Sequence, residues 1–593
     1  MVDFKECFEI YFKNYRQEMK QNWKVRQQNS LENRIFLDLE EEIEELLLAK
    51  GIDSEEAKKA FIDPGYDAIS IDPFLLTDMD LAVKRTLVAI EKGEKICVYG
   101  DYDADGVTAS ALLLDFFQQI EVETVAYLPD RATEGYGLNK EALEYIKDKE
   151  ATLIITVDCG VSNSEEVEYA KELGIDSVIL DHHHLPENMP KAVAVVDPKR
   201  SGDKYPNKDL AGVGVAFKFL QAIAPKVDNY DSAQLKWFLD LVAIGTIADC
   251  VDLSTENRML VKFGLFVLSK TRRVGLHHLF QVGKINIDEK NIPSSYDVSF
   301  QIAPRINAAG RMDHANAAQK LLLCNKFQET QARLLALEIE DKNKFRQKVT
   351  KEIVEEVFGR VNKNKDRKII IEASPDWNFG IVGLAAGRVA EAFHRPTILF
   401  QNHQKDGEKL MRASCRSIPQ FNMVEALERN KELLLKYGGH SQAAGLTLKE
   451  DDFAEFQEKM QAEMKNIDDK DLIKEILIDS CIPFERITDK LVDELSLLEP
   501  YGAGNKKPVF CCEKLRVSQV RTVGNGDAHL KIQLQKEDGQ GKVLDAIGFG
   551  IAKQFQKLAE GDIIDLAFNL EMNQWNGNKN PQAMIIDIDT SNA

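Results

Sequence analysis

Four apolar runs in this chain each end in a carboxylate, and that repetition constrains the fold more than any other feature of the sequence. Ile96-Cys97-Val98-Tyr99 leads into Gly100-Asp101-Tyr102-Asp103-Ala104-Asp105-Gly106. The continuous β-branched run from Ala151 to Val157 ends at Asp158-Cys159-Gly160. Ser177-Val178-Ile179-Leu180 runs into Asp181-His182-His183-His184, and Leu241 to Ala248 delivers Asp249. Unbroken apolar runs are what strands buried on both faces need. Segments of helical period, such as Ser164 to Leu173, lie between the first three. Strand and helix in alternation specify an α/β, doubly wound parallel sheet, whose ligands bind beyond the carboxyl ends of the strands. Carboxylates and imidazoles from several strand ends would then converge on one crevice. The run 241–248 reads equally well as a buried helix.

Three carboxylates in five residues repel one another and raise one another's pKa, and a bound divalent cation is the usual way such a cluster is neutralised. A calcium loop is a poor fit, because it needs a bidentate Glu at its twelfth position and Leu112 stands there. Each motif alone has a plainer explanation. An Asp after a strand is commonly a helix N-cap, and an acidic turn is commonly solvated. Three histidines in a row suggest a purification tag only at a terminus, and these lie in mid-chain. Taken together, the plain explanations require four coincidences in one sheet.

Asp-x-Asp-x-Asp-Gly, Val-Asp-x-Gly, Asp-His-His and Gly-Thr-x-Ala-Asp, in that order, resemble the DHH phosphoesterase superfamily. Within it, residues 70 to 590 are similar to the RecJ family of single-strand-specific exonucleases. The run Phe300-Gln301-Ile302-Ala303-Pro304-Arg305-Ile306-Asn307-Ala308-Ala309-Gly310-Arg311-Met312 matches a signature of that family. Gly438-Gly439-His440 with Ala443-Ala444-Gly445 resembles the DHHA1 domain, and Pro500-Tyr501-Gly502-Ala503-Gly504-Asn505 is also RecJ-like.

The resemblance implies a metal-dependent 5′ to 3′ exonuclease of single-stranded DNA that releases 5′ mononucleotides in DNA repair and recombination. It implies two divalent ions, Mn²⁺ or Mg²⁺, and carboxylate-rich ligation favours these over zinc. Asp103 would serve one ion, Asp105, His182 and Asp249 the other, and Asp158 would bridge them. Asp101 stands beside the main family pattern, which rests on the second and third aspartates. His183 would contact the scissile phosphate or protonate the leaving oxygen, whereas His184 is expected to pack. A terminal phosphate is best held by arginine forks and hydroxyls. The candidates are Arg131, Arg305, Arg311, Ser414 and Arg416, with a structural ion pair the competing role for Arg305 and Arg311. His440 and its glycines would let backbone approach the strand. Implied partners are single-stranded DNA, a helicase and a single-strand-binding protein, around a cytoplasmic monomer. One rival is another DHH phosphoesterase acting on oligonucleotides or cyclic dinucleotides, against which the region 466–593 argues. The other is a non-catalytic single-strand-binding scaffold, against which the full ligand set argues.

Composition sets limits. No stretch of 18 apolar residues suits a membrane span, Met1 to Met19 is too charged for a signal peptide, and nine cysteines without a CxxC pair fit reduced thiols. The balance of 76 basic against 97 acidic residues gives −21, the opposite sign from a typical nucleic-acid binder. Affinity depends on where Lys and Arg cluster, so a narrow basic channel on an acidic protein is expected. Part of the acidity, Glu40 to Glu45, reads as a solvated helix face.

The expected organisation is a helical N-terminal segment (1–70, its first 20 or so residues an addition), a DHH domain (71–325), a connecting helix (326–364), a DHHA1 domain (365–465) and an OB-like barrel (466–593). The connecting helix spaces Phe345, Val349, Ile353 and Val357 by four. Five short strands, 515–523, 529–535, 543–549, 563–570 and 583–588, suggest the barrel, with a sandwich as the alternative. Trp575 and Phe549 would stack bases or fill a core.

Overall fold

The computed structural model describes residues 22–26, 39–66, 71–131, 133–361, 367–405, 407–575 and 578–590. The first 20 or so residues and the positions 576–577 fall outside this set, as does the side chain of Trp575. The chain divides into two compact units. One comprises 63–346 together with 499–506, and the other comprises the remainder. No helix among the described residues is long and apolar enough to cross a membrane.

The first unit is built on a parallel sheet of β1 (Ile96–Gly100), β2 (Thr124–Tyr127), β3 (Leu153–Val157), β4 (Asp176–Leu180) and β5 (Ala194–Val196), in the order β2-β1-β3-β4-β5. Every residue of β1 and β3 is buried. Alternate side chains feed two cores: Ile96, Val98 and Ile155 join one, while Cys97, Tyr99 and Ile154 join the other. Burial on both faces is why these strands read as unbroken apolar runs. The strand order reverses between β1 and β3, so the crevice beyond their carboxyl ends is the topological switch point. Gly100 pairs with Val157, Val157 with Leu180 and Leu180 with Val196. Asp101, Asp158, Asp181 and Asp197 therefore stand side by side along one edge.

The helices α1 (Ala104–Gln119), α2 (Gly212–Ile223) and α3 (Leu239–Ala248) pack against one another. The last settles the ambiguous run before Asp249: it is a helix, apolar all round because every residue from Leu239 to Ile247 is buried. Such a helix carries no amphipathic period, and periodicity alone does not separate it from a buried strand.

A buried charge network braces α2. Lys218 Nζ lies 3.1 Å from Glu256 Oε1 and donates to Ile71 O at 2.7 Å, while Tyr205 donates to Glu256 Oε2 at 2.7 Å. Burial pushes the Lys218 ammonium below its usual range, with Glu256 working against that. Removing one partner strands the other charge away from water. Glu256→Ala is thus expected to destabilise this unit by about 3–5 kcal/mol. A urea midpoint equal to that of the parent chain would contradict it.

The signature run forms α4 (Ala303–Met312), preceded by a π-helical turn over 298–302. The long helix α5 (Glu329–Val361) follows. Its buried stripe differs from the expected one, because Ile353 and Val357 are buried but Phe345 is 53% exposed. Asn343, Arg346 and Thr350 lie in the interior instead, with Arg346 Nη2 donating to Asn343 Oδ1 at 2.8 Å. Polar residues on the inward face hide it from a hydrophobicity pattern.

The second unit contains a mixed sheet of β6 (Ile370–Ser374), β7 (Thr397–Lys405), β8 (Glu408–Arg416), β9 (Leu434–His440) and β10 (Ala443–Lys449), in the order β9-β10-β8-β7-β6. The helix α6 (Phe379–Phe393) packs on β7 and β8. The same unit holds β11 (Phe510–Val523), β12 (His529–Gln535), β13 (Leu544–Gly548), β14 (Ile563–Trp575) and β15 (Asn578–Asp589), in the order β11-β12-β13-β15-β14. Pairing of Phe510–Arg516 with Ile563–Phe568 closes the ring, which makes this a barrel of OB topology and excludes the sandwich. Phe549 is half-buried with its ring 5.3 Å from that of His529.

The N-terminal helices Glu41–Ala49 and Glu55–Ile62 are preceded by a strand the sequence does not announce, Asn22–Val25, which pairs in parallel with Glu475–Ile478. The acidic run is not a solvated face. Glu42 and Glu44 are buried, Arg486 grips Glu42 through two bonds of 2.7 and 2.6 Å, and Lys58 pairs with Glu44. Bidentate pairing compensates the desolvation that burial imposes.

Candidate metal centre

The loop after β1 shapes the first part of the centre. Asp103 caps α1, accepting from Asp105 N at 2.9 Å and Gly106 N at 3.2 Å. Gly106 must be glycine, since an added Cβ would lie 2.5 Å from the backbone nitrogen of Asp101. Asp101 is buried and its Oδ1 meets no hydrogen-bond partner. Asp105 is fixed from across the crevice, accepting at 2.6 Å from Gly212 N and at 2.9 Å from Val213 N, the first two residues of α2.

Asp158 leaves β3 with φ +60°, a left-handed backbone that non-glycine residues adopt mainly at turns and functional sites. Its Oδ1 lies 3.1 Å from His182 Nε2, and the same nitrogen is 3.6 Å from Asp249 Oδ2 and 4.0 Å from Asp105 Oδ2. Three overlapping groups place one donor atom from each member within 4.8 Å of the others: Asp105, His182 and Asp249; Asp101, Asp103 and Asp158; and Asp158, His182 and His183.

The electrostatics of these groups suit a cation. Burial, and then the neighbouring carboxylates, push Asp101, Asp105 and Asp158 well above the usual carboxylate range. The same causes raise Asp249 to about 7. Burial, with the charge of His183 added, lowers His182 to about 3, so its imidazole is neutral and able to ligate. Asp181 behaves differently. It accepts from Val161 N at 3.0 Å and from His183 Nδ1 at 2.7 Å, and despite burial these bonds and the His183 charge hold it below the ordinary value. In return, and against burial, Asp181 raises His183 to about 9. The orphaned Asp101 oxygen and a donor set of carboxylates with one imidazole fit Mn²⁺ or Mg²⁺.

The other candidate residues are distributed between the units. Arg131 sits 5.1 Å from the ring centroid of Tyr102, and its charge acts on Asp101. The charge of Arg311 is felt by the Tyr102 phenol. Arg305 is committed internally, to Glu340 Oε2 at 2.7 Å and Gln301 O at 2.6 Å. In the second unit, Ser414 and Arg416 project from β8 with Arg416 Nη1 at 3.2 Å from Ser414 Oγ, and Gly383 of α6 leaves them room. His440 ends β9 and is exposed. His184 is exposed rather than packed, because it lies in the loop beyond β4.

Three contributors escape sequence reasoning. Asn307 Oδ1 accepts from Ala104 N at 2.8 Å, so the signature helix steadies the first turn of α1. The helix start at Gly212 and Val213 has no recognisable motif. Tyr136, whose hydroxyl lies 3.0 Å from His183 Nδ1, does carry a signal: it stands between Gly135 and Gly137, both with positive φ.

The chain matches the DHH family N-terminal domain over 95–246, the DHHA1 domain over 366–466 and the RecJ OB domain over 478–587. It is 37% identical over 548 residues to the single-stranded-DNA-specific exonuclease RecJ of Bacillus subtilis, covering 92% of this chain and 67% of that one. It is 33% identical over 534 residues to RecJ of Haemophilus influenzae, covering 87% and 91%. The crystal structure of Thermus thermophilus RecJ in complex with Mn²⁺ superposes with a TM-score of 0.78 at 27% identity, covering 96% of this chain and 80% of that one. The corresponding Mg²⁺ complex gives 0.73. With all three domains in order and this identity along most of its length, the chain belongs to the RecJ family of single-stranded-DNA-specific exonucleases.

Proposed function

We propose that this exonuclease degrades single-stranded DNA from the 5′ end, releasing 5′ mononucleotides for repair and recombination, with two divalent ions held in the centre described above. The observation that carries the reading is Asp158, a member of two of the donor groups and so able to serve both ions. Asp103, with Asp101 beside it, would hold one ion, and Asp105, His182 and Asp249 the other. When bound, a pair of ions clamps the attacking and leaving oxygens of a phosphoryl displacement and lowers the pKa of the attacking water.

The protein's own groups do the positioning. Gly212 and Val213 aim Asp105 by two backbone hydrogen bonds. Asp181 accepts a hydrogen bond from His183 Nδ1 and favours the imidazolium, whose Nε2–H can donate to the leaving oxygen or a phosphate oxygen. Arg131, with Arg311 near the same tyrosine, offers cationic recognition of the 5′ phosphate, and Arg305 braces the signature helix instead. In the second unit, the Ser414 hydroxyl and Arg416 guanidinium have the chemistry that suits a phosphate. His440 and its neighbouring glycines suit close backbone approach to a strand. A helicase and a single-strand-binding protein are the natural suppliers of that strand.

Direction is tested with Mn²⁺ and strands labelled at one end or the other. A 5′ label should appear as mononucleotide in the earliest products, while blunt duplex and dinucleotides remain. Early release of a 3′ label would overturn the polarity. Because phosphate contacts release counterions, kcat/KM is expected to fall at least about tenfold between about 50 and 200 mM salt. A flat salt profile would argue against a basic channel.

A further inference from the structure

The Tyr-Gly-Ala-Gly-Asn motif has no part in the chemistry above, yet its position is informative. Residues 499–506 belong to the first unit although both sequence neighbours, Leu498 and Lys507, belong to the second. This strap is tied down at three points. Glu499 O accepts from Arg258 Nη2 at 2.7 Å, Tyr501 O accepts from Ser295 Oγ, and Ala503 O accepts from Leu253 N at 2.8 Å. It is also closed on itself, with Gly502 N donating to Asn505 O at 2.9 Å and Asn505 Nδ2 to Pro500 O at 2.8 Å.

The segment it holds, 250–254, begins one residue after Asp249. Asp249 N still donates to Gly245 O at 2.9 Å, and the chain then turns sharply at Cys250, where φ is +60°. Asp252 folds back on itself through Ser254 N at 2.8 Å, and Asn257 Nδ2 holds Asp252 O at 3.0 Å. Two glycines of the strap lie directly against this turn. A Cβ on Gly502 would fall 2.6 Å from Leu253 Cδ1, and one on Gly504, where φ is +70°, only 2.0 Å from Asp252 Oδ2. Asp249 is thus fixed by α3 on one side and by a strap arriving from 250 residues downstream on the other.

We propose that the strap 499–506 is a positioning element for Asp249, setting where that carboxylate meets His182 and hence how tightly the ion on that side is held. The inference rests on Asp249 being a ligand. Groups that orient metal ligands without touching the metal govern affinity in the same way.

The test is a Mn²⁺ titration of the full chain, with the free ion followed by electron paramagnetic resonance, alongside Gly504→Ala, Asn505→Ala, Asp249→Ala and the control Gly541→Ala. Gly541 also has positive φ, but nothing lies within 4 Å of its would-be Cβ. Asp249→Ala should lose one site. Gly504→Ala and Asn505→Ala should keep two sites but raise the half-occupancy concentration of one about tenfold or more. Their kcat should return at saturating Mn²⁺, which loss of folded protein would not produce, and Gly541→Ala should titrate like the parent. Should Gly504→Ala not fold, Asn505→Ala decides alone. Loss of a site in Asp249→Ala with parental affinity in the strap variants overturns the strap. Two parental sites in Asp249→Ala overturn the ligand assignment itself.

Discussion

Asp158→Ala is expected to lower kcat by at least about a thousandfold while changing affinity for single-stranded DNA only a few-fold. The residue sits at the switch point between β1 and β3, within one donor group that includes Asp101 and Asp103 and another that includes His182 and His183. Truncation removes a carboxylate from both groups at once and leaves His182 Nε2 facing only Asp249 at 3.6 Å and Asp105 at 4.0 Å. Alanine at φ +60° adds backbone strain of about 1–2 kcal/mol, which would blur a loss of ligation with a loss of fold. Asp158→Asn separates them, because asparagine tolerates the left-handed region and keeps the shape while removing the charge. Both variants should be inactive on 5′-labelled strands and both should bind them in fluorescence anisotropy. Full Mn²⁺-dependent cleavage by Asp158→Asn would remove Asp158 from the centre.

Asp158 was legible in the sequence because it terminates an unbroken apolar strand, and Asp101 to Asp105 and Asp181 to His183 were legible for the same reason. A parallel sheet buried on both faces writes itself as such runs, and its ligands gather where the runs stop. Asp249 is legible as a residue, but its helix cannot be told from a strand in the sequence, since an all-apolar helix has no period to read. Contacts that depend on distant sequence left no trace. Asn307 reaches Ala104 across 203 residues, and Gly212 reaches Asp105 across 107. The same blindness explains one misjudged charge, Glu42, and one whose role the sequence leaves open, Arg305. Glu42 looks like a solvated residue until Arg486, 444 residues away, is seen to grip it. Arg305 looks available for a phosphate until Glu340 takes its Nε. What a strand or turn dictates locally can be read from the chain, and which charges find partners requires the fold.

Gly212→Ala tests the part of the centre that no motif revealed, and Gly214→Ala, two residues along the same helix, is its control. At Gly212 an added Cβ would lie 2.5 Å from Asp158 Cβ and 2.9 Å from Asp158 Cα. Those atoms belong to the backbone and root of a side chain already held in a left-handed conformation, so they cannot rotate away. Relief requires α2 to retreat, and retreat breaks the 2.6 Å bond from Gly212 N to Asp105 Oδ2. One methyl group therefore displaces two carboxylates of the candidate centre. A misplacement on the order of 1 Å at a reacting centre costs about a hundredfold in rate, so kcat should fall by at least that, with weaker Mn²⁺ binding. At Gly214 the tight contact of the added Cβ is with Leu210 Cδ2 at 3.2 Å, the far end of a flexible side chain, and Leu210 Cβ at 3.6 Å is in ordinary contact. There the change should leave activity within about threefold, and better helix propensity should offset any crowding, being worth about 1 kcal/mol. The contrast is what decides, because both changes add the same atoms to the same helix. If Gly212→Ala cleaves single-stranded DNA as fast as Gly214→Ala, then the start of α2 does not position Asp105, and the close approach of that helix to Asp158 is packing alone.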